Sequence, residues 1–281
     1  MSRGLWRKLK SLESRINGIA VKPPTLPGEP QSFCVELLRF RPTSYQRRLL
    51  ESDSKRIVVR WARQSGKTTA LATLSIIRAV TIPRSTVLII SPGLRQSMIL
   101  GDRIRSLLES LPGEYRGLVR QRLKTIFRFG NRSTIIVLPN SEHQLRGFTA
   151  DLIVADEAAF FHNDDAIFDN ILPPMLATTD GTLVVSSTPW GRNTVYYRLN
   201  QDPAYEKHVV TWREAYDEGV YHPGFLEHIE GQRESNPQAY RMEYLAEFAE
   251  EADARARNLD RERKSGWPSP APSPMRPCRR A

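Results

Sequence analysis

The sequence predicts an α/β fold, a mostly parallel sheet flanked by helices, and three observations predict it. Short Val- and Ile-rich runs recur and alternate with helix-length segments. A Gly-Lys-Thr-Thr sequence stands between one such run and a helical pattern. Further along, another apolar run ends in Asp-Glu.

The elements follow in order. Residues 55–62 (KRIVVRWA) are too short and too β-branched for a helix. A Gly/Ser turn and a helix over 67–80 come next. The run 86–91 (TVLIIS) is a second strand, followed by a helix over 94–111. Runs at 134–138, 151–155, 182–187 and 208–212 give four more strands, and 223–234 and 237–250 read as a helical cover. The expected division is a basic helix and Pro-rich linker at 1–32, the α/β core at 33–222, the cover at 223–251, and a disordered Arg/Pro-rich tail at 252–281. The N-terminal helix is expected because Trp6, Leu9, Leu12, Ile16 and Ile19 fall at helical spacing among Lys and Arg.

Composition bounds the class. The chain has 281 residues, is 40% hydrophobic and 26% charged, and so is neither collagen-like nor mostly disordered. With Cys34 and Cys278 the only cysteines, a disulfide framework or a Cys-His zinc module is ruled out, which fits a reducing cytosol. No apolar run reaches transmembrane length, and the basic N-terminus lacks the apolar stretch of a secretory signal. The 41 Lys and Arg against 31 Asp and Glu give +10, which points toward nucleic acid. Its distribution narrows that reading. Residues 1–25 and 252–281 each carry +5, so the middle is neutral but polarised: 39–132 hold 20 basic and 5 acidic residues, 142–251 hold 7 and 20.

Four segments carry chemistry. In Trp61-Ala62-Arg63-Gln64-Ser65-Gly66-Lys67-Thr68-Thr69, Gly66 lets the backbone N–H groups face a triphosphate, and the following helix aims its dipole at the same charge. Lys67 reaches the phosphates and the Thr68 hydroxyl is placed for Mg²⁺. Trp61 stands where such loops usually have their first Gly. In Leu152-Ile153-Val154-Ala155-Asp156-Glu157, Asp156 would hold Mg²⁺ through water and Glu157 would act as general base toward the attacking water. Ser186-Ser187-Thr188-Pro189 puts small hydroxyls at a strand end beside the γ-phosphate. In FRPTSYQRRLL, Gln46 offers an amide to adenine, with Phe40 or Tyr45 to stack on the base. Arg63, buried near phosphate, could stabilise the leaving charge, with Arg146 a second candidate. Together these define a P-loop NTPase of the RecA/ASCE-like kind that binds ATP and Mg²⁺.

These segments resemble the ATPase domain of tailed-phage terminase large subunits, the motors that package DNA, from about Phe40 to Phe248. ARQSGKTT resembles that family's variant phosphate loop, QLRGFTADLIVADE its Arg-Gly segment and acidic motif, SSTPWGRN its coupling motif, and PTSYQRRLL its adenine segment. The resemblance implies that Gln46 binds adenine and that Gln64, Ser65, Gly66, Lys67, Thr68 and Thr69 cradle the phosphates. It implies that Thr68 and Asp156 hold Mg²⁺, that Arg63 and Glu157 are catalytic, and that Ser187 and Thr188 couple hydrolysis to movement. It also implies double-stranded DNA, a portal protein and a terminase small subunit as partners, and a homo-oligomeric ring, in the cytosol of a phage-infected or prophage-bearing bacterium.

One departure stands out. That family continues into a nuclease domain of the RNase H type, whereas only 33 residues follow Phe248 here, rich in Arg and Pro. A truncated or split gene without nuclease activity is therefore expected. A nucleotide-binding prophage remnant and a DEAD-box-like helicase stay open as alternatives.

Overall fold

The computed structural model describes residues 25–249. The expected N-terminal helix and Arg/Pro-rich tail lie outside these. Among the described residues no helix is long and apolar enough to cross a membrane.

Eight strands form one sheet in the order β3-β4-β5-β2-β6-β7-β1-β8. They are β1 (Arg56–Trp61), β2 (Thr86–Ser91), β3 (Val119–Arg122), β4 (Ile126–Phe129), β5 (Thr134–Pro139), β6 (Leu152–Asp156), β7 (Thr182–Ser186) and β8 (Glu206–Val210). From β5 to β8 every pairing is parallel; β3-β4 and β4-β5 are antiparallel. The six expected strands are all present, with β8 beginning earlier than the apolar run that marked it.

The helices include α1 (Ser44–Leu50), α2 (Lys67–Thr81), α3 (Leu94–Glu109), α4 (Val195–Gln201), α5 (Phe225–Ser235) and α6 (Pro237–Glu243). The last of these stops seven residues short of the expected end, at a C-cap on Tyr244. α1 starts on a capping box: the Thr43 hydroxyl accepts from Gln46 N–H while the Gln46 amide oxygen accepts from Thr43 N–H.

A parallel sheet buries both faces, and the strands alternate accordingly. Ile57, Val59, Trp61, Val87 and Ile89 face a core filled by α2 and α3 (Leu71, Ile76, Leu100, Ile104). Val58, Leu88, Ile90, Ile153 and Val185 face a second core with Phe168, Leu172 and Tyr196. Ile229, Tyr240 and Tyr244 join the first core, so the helical cover packs onto the sheet that holds the loop.

β7 lies between β1 and β6, pairing Val59 with Ser186 on one side and Asp156 with Ser186 on the other. The loop after β1, the acids at the end of β6 and the hydroxyls at the end of β7 therefore converge at the carboxyl edge of adjacent strands.

Candidate functional site

The phosphate loop is shaped by its own short contacts. The Ser65 hydroxyl donates to the Ala62 carbonyl at 2.7 Å, closing the turn. Gly66 caps α2 at φ 86°, and a Cβ there would lie 2.6 Å from the Gln46 side-chain nitrogen, so the position requires glycine. α1 holds the loop from behind. The Tyr45 hydroxyl donates to the Ser65 carbonyl at 2.7 Å, and the Gln46 Nε2 donates to the Gly66 carbonyl at 3.1 Å. With carbonyls turned toward α1 and no side chain capping α2, the 15-residue helix presents an open N-terminus at the loop.

These contacts change two expectations. Tyr45 is not free to stack on a base: it is buried, edge-on to Trp61 at 4.9 Å. Trp61 itself fills the first core, which accounts for a large side chain where a glycine is usual. Gln46 reaches the loop, but its amide oxygen is engaged by the Thr43 N–H and one amide hydrogen by Gly66.

Lys67 sits between the acids. Its Nζ lies 3.1 Å from Glu157 Oε1 and 3.6 Å from Asp156 Oδ1, with Lys67 and Asp156 side chains only 11% and 10% exposed. Burial pulls the ammonium down, but Glu157 and Asp156 outweigh it and leave Lys67 above the ordinary lysine value. Burial raises the Asp156 carboxyl above its usual range, with Lys67 offsetting part of that shift. Ser186 donates to Asp156 Oδ1 at 2.5 Å. Glu157 adopts φ 56°, a strained left-handed backbone that aims its carboxylate back at the loop. The Ser187 hydroxyl donates to Glu157 Oε2 at 3.4 Å and accepts from the Ala159 N–H at 3.3 Å.

Two carboxylates thus share one ammonium in a buried setting, which leaves room for a second cation. The Asp156 carboxylate is an oxygen donor there, and Thr68 follows Lys67 in the first turn of α2. Mg²⁺ is commonly held by one or two protein oxygens plus phosphate, so these residues fit it.

Arg63 departs from its expected burial. Its guanidinium is 60% exposed and pairs with Glu243 at 3.0 Å. It still borders the site, because a cavity of about 290 Å³ is lined by Arg63, Glu157, Thr188, Trp190 and Glu243. Arg146 lies on the surface, 3.8 Å from Glu142. Two contributors escaped the sequence reading. Tyr196 on α4 places its hydroxyl 2.8 Å from the Val59 carbonyl and 3.0 Å from that of Ser187, tying β1 to the segment that follows β7. Glu243 ends a helix far along the chain, and no local pattern marks either residue.

Fold and site together define an α/β protein of the P-loop ASCE type. Residues 60–259 match the family described as Terminase large subunit, T4likevirus-type, N-terminal, and the chain belongs to that family. It is 27% identical over 214 residues to the terminase large subunit of Thermus virus P23-45, and equally to that of Thermus phage G20c. Each alignment covers 69% of this chain and 41% of the relative, so the chain spans less than half the length of the curated relatives it matches. Among solved structures, the Thermus phage P74-26 large terminase ATPase domain superposes with a TM-score of 0.66 at 23% identity, covering 79% of this chain and all of that one. The HK97 bacteriophage large terminase gives 0.63 at 14% identity over 74% of this chain and 51% of its own.

Proposed function

We propose that this chain is a Mg²⁺-dependent ATPase that works as the motor part of a DNA-packaging terminase. The observation that carries the reading is Lys67 held between Asp156 and Glu157 at an open helix N-terminus. The solved large terminases of the same fold include one from a thermophilic bacteriophage in complex with ADP, which supports a nucleotide at this loop.

The roles follow from position. Backbone N–H groups of Gly66, Lys67 and Thr68, with the Gln64–Ser65 turn and Thr69, cradle the phosphates. Lys67 releases the carboxylates and pairs with phosphate oxygens. Thr68 and Asp156 hold Mg²⁺, which neutralises phosphate charge when bound. Glu157, freed from Lys67, accepts the proton of the attacking water at a carboxylate oxygen. Arg63 reaches from the cavity wall to the leaving charge. Ser187 and Thr188 sit where loss of the γ-phosphate shifts β7, and Gln46 couples α1 to the loop and offers its remaining amide hydrogen to adenine. Double-stranded DNA is the substrate moved, in a ring of copies docked on a portal with a small subunit.

The test is phosphate release from ATP by the full chain with Mg²⁺, with and without duplex DNA. Release that disappears in both Lys67→Ala and Glu157→Gln and rises with DNA supports the motor reading. Release unchanged in both variants overturns the site, and hydrolysis indifferent to DNA overturns the motor while leaving the ATPase.

A further inference from the structure

The Ser91 hydroxyl is buried without a partner. Ser91 ends β2, is fully shielded from solvent, and its Oγ makes no hydrogen bond among the described residues. A buried hydroxyl left unpaired costs stability, and most such groups in folded proteins are paired. The sheet register shows what stands next to it. β2 pairs with β6 from Val87–Leu152 to Ile90–Ala155, so the next step sets Ser91 beside Asp156. Side chains alternate between the faces along each strand. Ile89, Val154 and Val184 face the first core, on the side of α2, whereas Ile90, Ala155 and Val185 face the second. Ser91, Asp156 and Ser186 therefore form a row on one face of three adjacent strands, at the edge where Lys67 approaches.

Asp156 is served unequally from its two neighbours. On the β7 side Ser186 donates to Oδ1 at 2.5 Å, and Lys67 lies 3.6 Å from the same oxygen. On the β2 side there is no direct bond, because the Ser91 hydroxyl stops short of hydrogen-bond reach. Mg²⁺ dehydrates reluctantly and keeps several waters when bound. Groups behind the direct ligands orient that shell and tune metal affinity. We propose that Ser91 is a positioning residue for the metal: its hydroxyl oxygen accepts from a metal-bound water on the β2 side of Asp156. The hydroxyl then finds its partner only with metal and nucleotide in place, and the empty protein carries it unpaired. This rests on the ATPase reading above.

The experiment uses the full chain with ADP and Mn²⁺, an ion that shares the oxygen preference of Mg²⁺ and is read by paramagnetic resonance. Three quantities are measured for the parent and Ser91→Ala: Mn²⁺ affinity at saturating ADP, ADP affinity in EDTA, and the melting temperature without ligand. Mn²⁺ affinity is expected to weaken about three- to tenfold in Ser91→Ala, the worth of one hydrogen bond. ADP affinity in EDTA is expected to stay the same. The ligand-free melting temperature is expected to hold or rise, because the substitution removes an unpaired group. Unchanged Mn²⁺ affinity overturns the proposal. So does an equal loss of ADP affinity with and without metal, which means a packing role, or a clearly lower ligand-free melting temperature, which means the hydroxyl is paired in the empty protein. A parent that holds no Mn²⁺ with ADP overturns the site reading and this proposal with it, whereas binding in the parent that Ser91→Ala leaves unchanged overturns this proposal alone.

Discussion

Lys67 and Glu157 stand 90 residues apart in the chain and meet at 3.1 Å across the end of the sheet. Neither reaches the other through a neighbouring strand, because β7 lies between β1 and β6. Without phosphate, the lysine stands between the buried Asp156 carboxylate and the half-buried Glu157 carboxylate and offsets part of their repulsion. On the proposed reading, the contact to the acids and the contact to phosphate are alternatives for one ammonium.

Removing that ammonium is expected to cost stability as well as activity. Lys67→Ala leaves the buried Asp156 and the half-buried Glu157 without their cation, a loss of about 3 kcal/mol by analogy with broken buried pairs. The cost depends on pH. Asp156 already sits above the ordinary carboxylate range through burial, and Lys67 is what holds it down. In the variant the folded state keeps that proton to higher pH, while the unfolded chain releases it near about 3.9. Between those values the folded state binds more protons, so stability falls as pH rises. Thermal melts of parent and variant are expected to diverge most at neutral pH and to converge toward about pH 4.

Glu157→Gln separates binding from chemistry. The amide keeps the shape and a hydrogen-bonding oxygen but cannot take a proton from water. Hydrolysis is expected to fall about 10²- to 10⁴-fold, the usual worth of a general base. Affinity for ATP-γ-S is expected to hold or tighten, since Lys67 gives up a weaker partner. Equilibrium binding beside single-turnover hydrolysis checks this, and equal losses in both would place Glu157 in binding instead.

Much of this was legible because it is local. Gly66 and Lys67 at a strand-helix junction, and an apolar run ending in Asp156-Glu157, announce themselves by type and order. The β3-β4 hairpin was not: VRQR is polar because β3 is a sheet edge, where charge deters further pairing, and the strands are four residues each. α1 was hidden in a short segment whose stability comes from its cap and from burying Tyr45 and Leu49. Glu243 and Tyr196 owe their roles to tertiary packing, to which no spacing rule applies. The exposure of Arg63 was not legible for the same reason, since its partner is 180 residues away.

The buried thiol gives a check on the fold's N-terminal part. Cys34 is fully buried before α1, and burial pushes its thiol up to about 12. At pH 8 its thiolate fraction is then on the order of 10⁻⁴, too small for ordinary reagents even with access. In a Cys278→Ser variant, a disulfide-exchange reagent is expected to count no reactive thiol in the native protein and one in denaturant. One fast-reacting thiol in native buffer would show that the segment is not packed as described.

Gly66 and Gln46 offer a test of how the loop is braced. Gly66→Ala places a Cβ 2.6 Å from Gln46 Nε2 and forces alanine to φ 86°. The backbone part costs roughly 1–2 kcal/mol for an L-residue in the left-handed region. The collision adds to it, because the Gln46 amide is fixed by Thr43 at one end and the Gly66 carbonyl at the other. Gln46→Ala removes the obstacle but also the Thr43 N–H to Gln46 amide half of the capping box, at about 0.5–1.5 kcal/mol for one hydrogen bond. The two substitutions therefore should not add. In the Gln46→Ala background, Gly66→Ala is expected to cost only its backbone part, and the double variant should be more stable than the sum predicts. Denaturant melts of the four proteins measure that coupling. Strict additivity would mean that Gln46 moves aside freely, and α1 would then not be what holds the phosphate loop in shape.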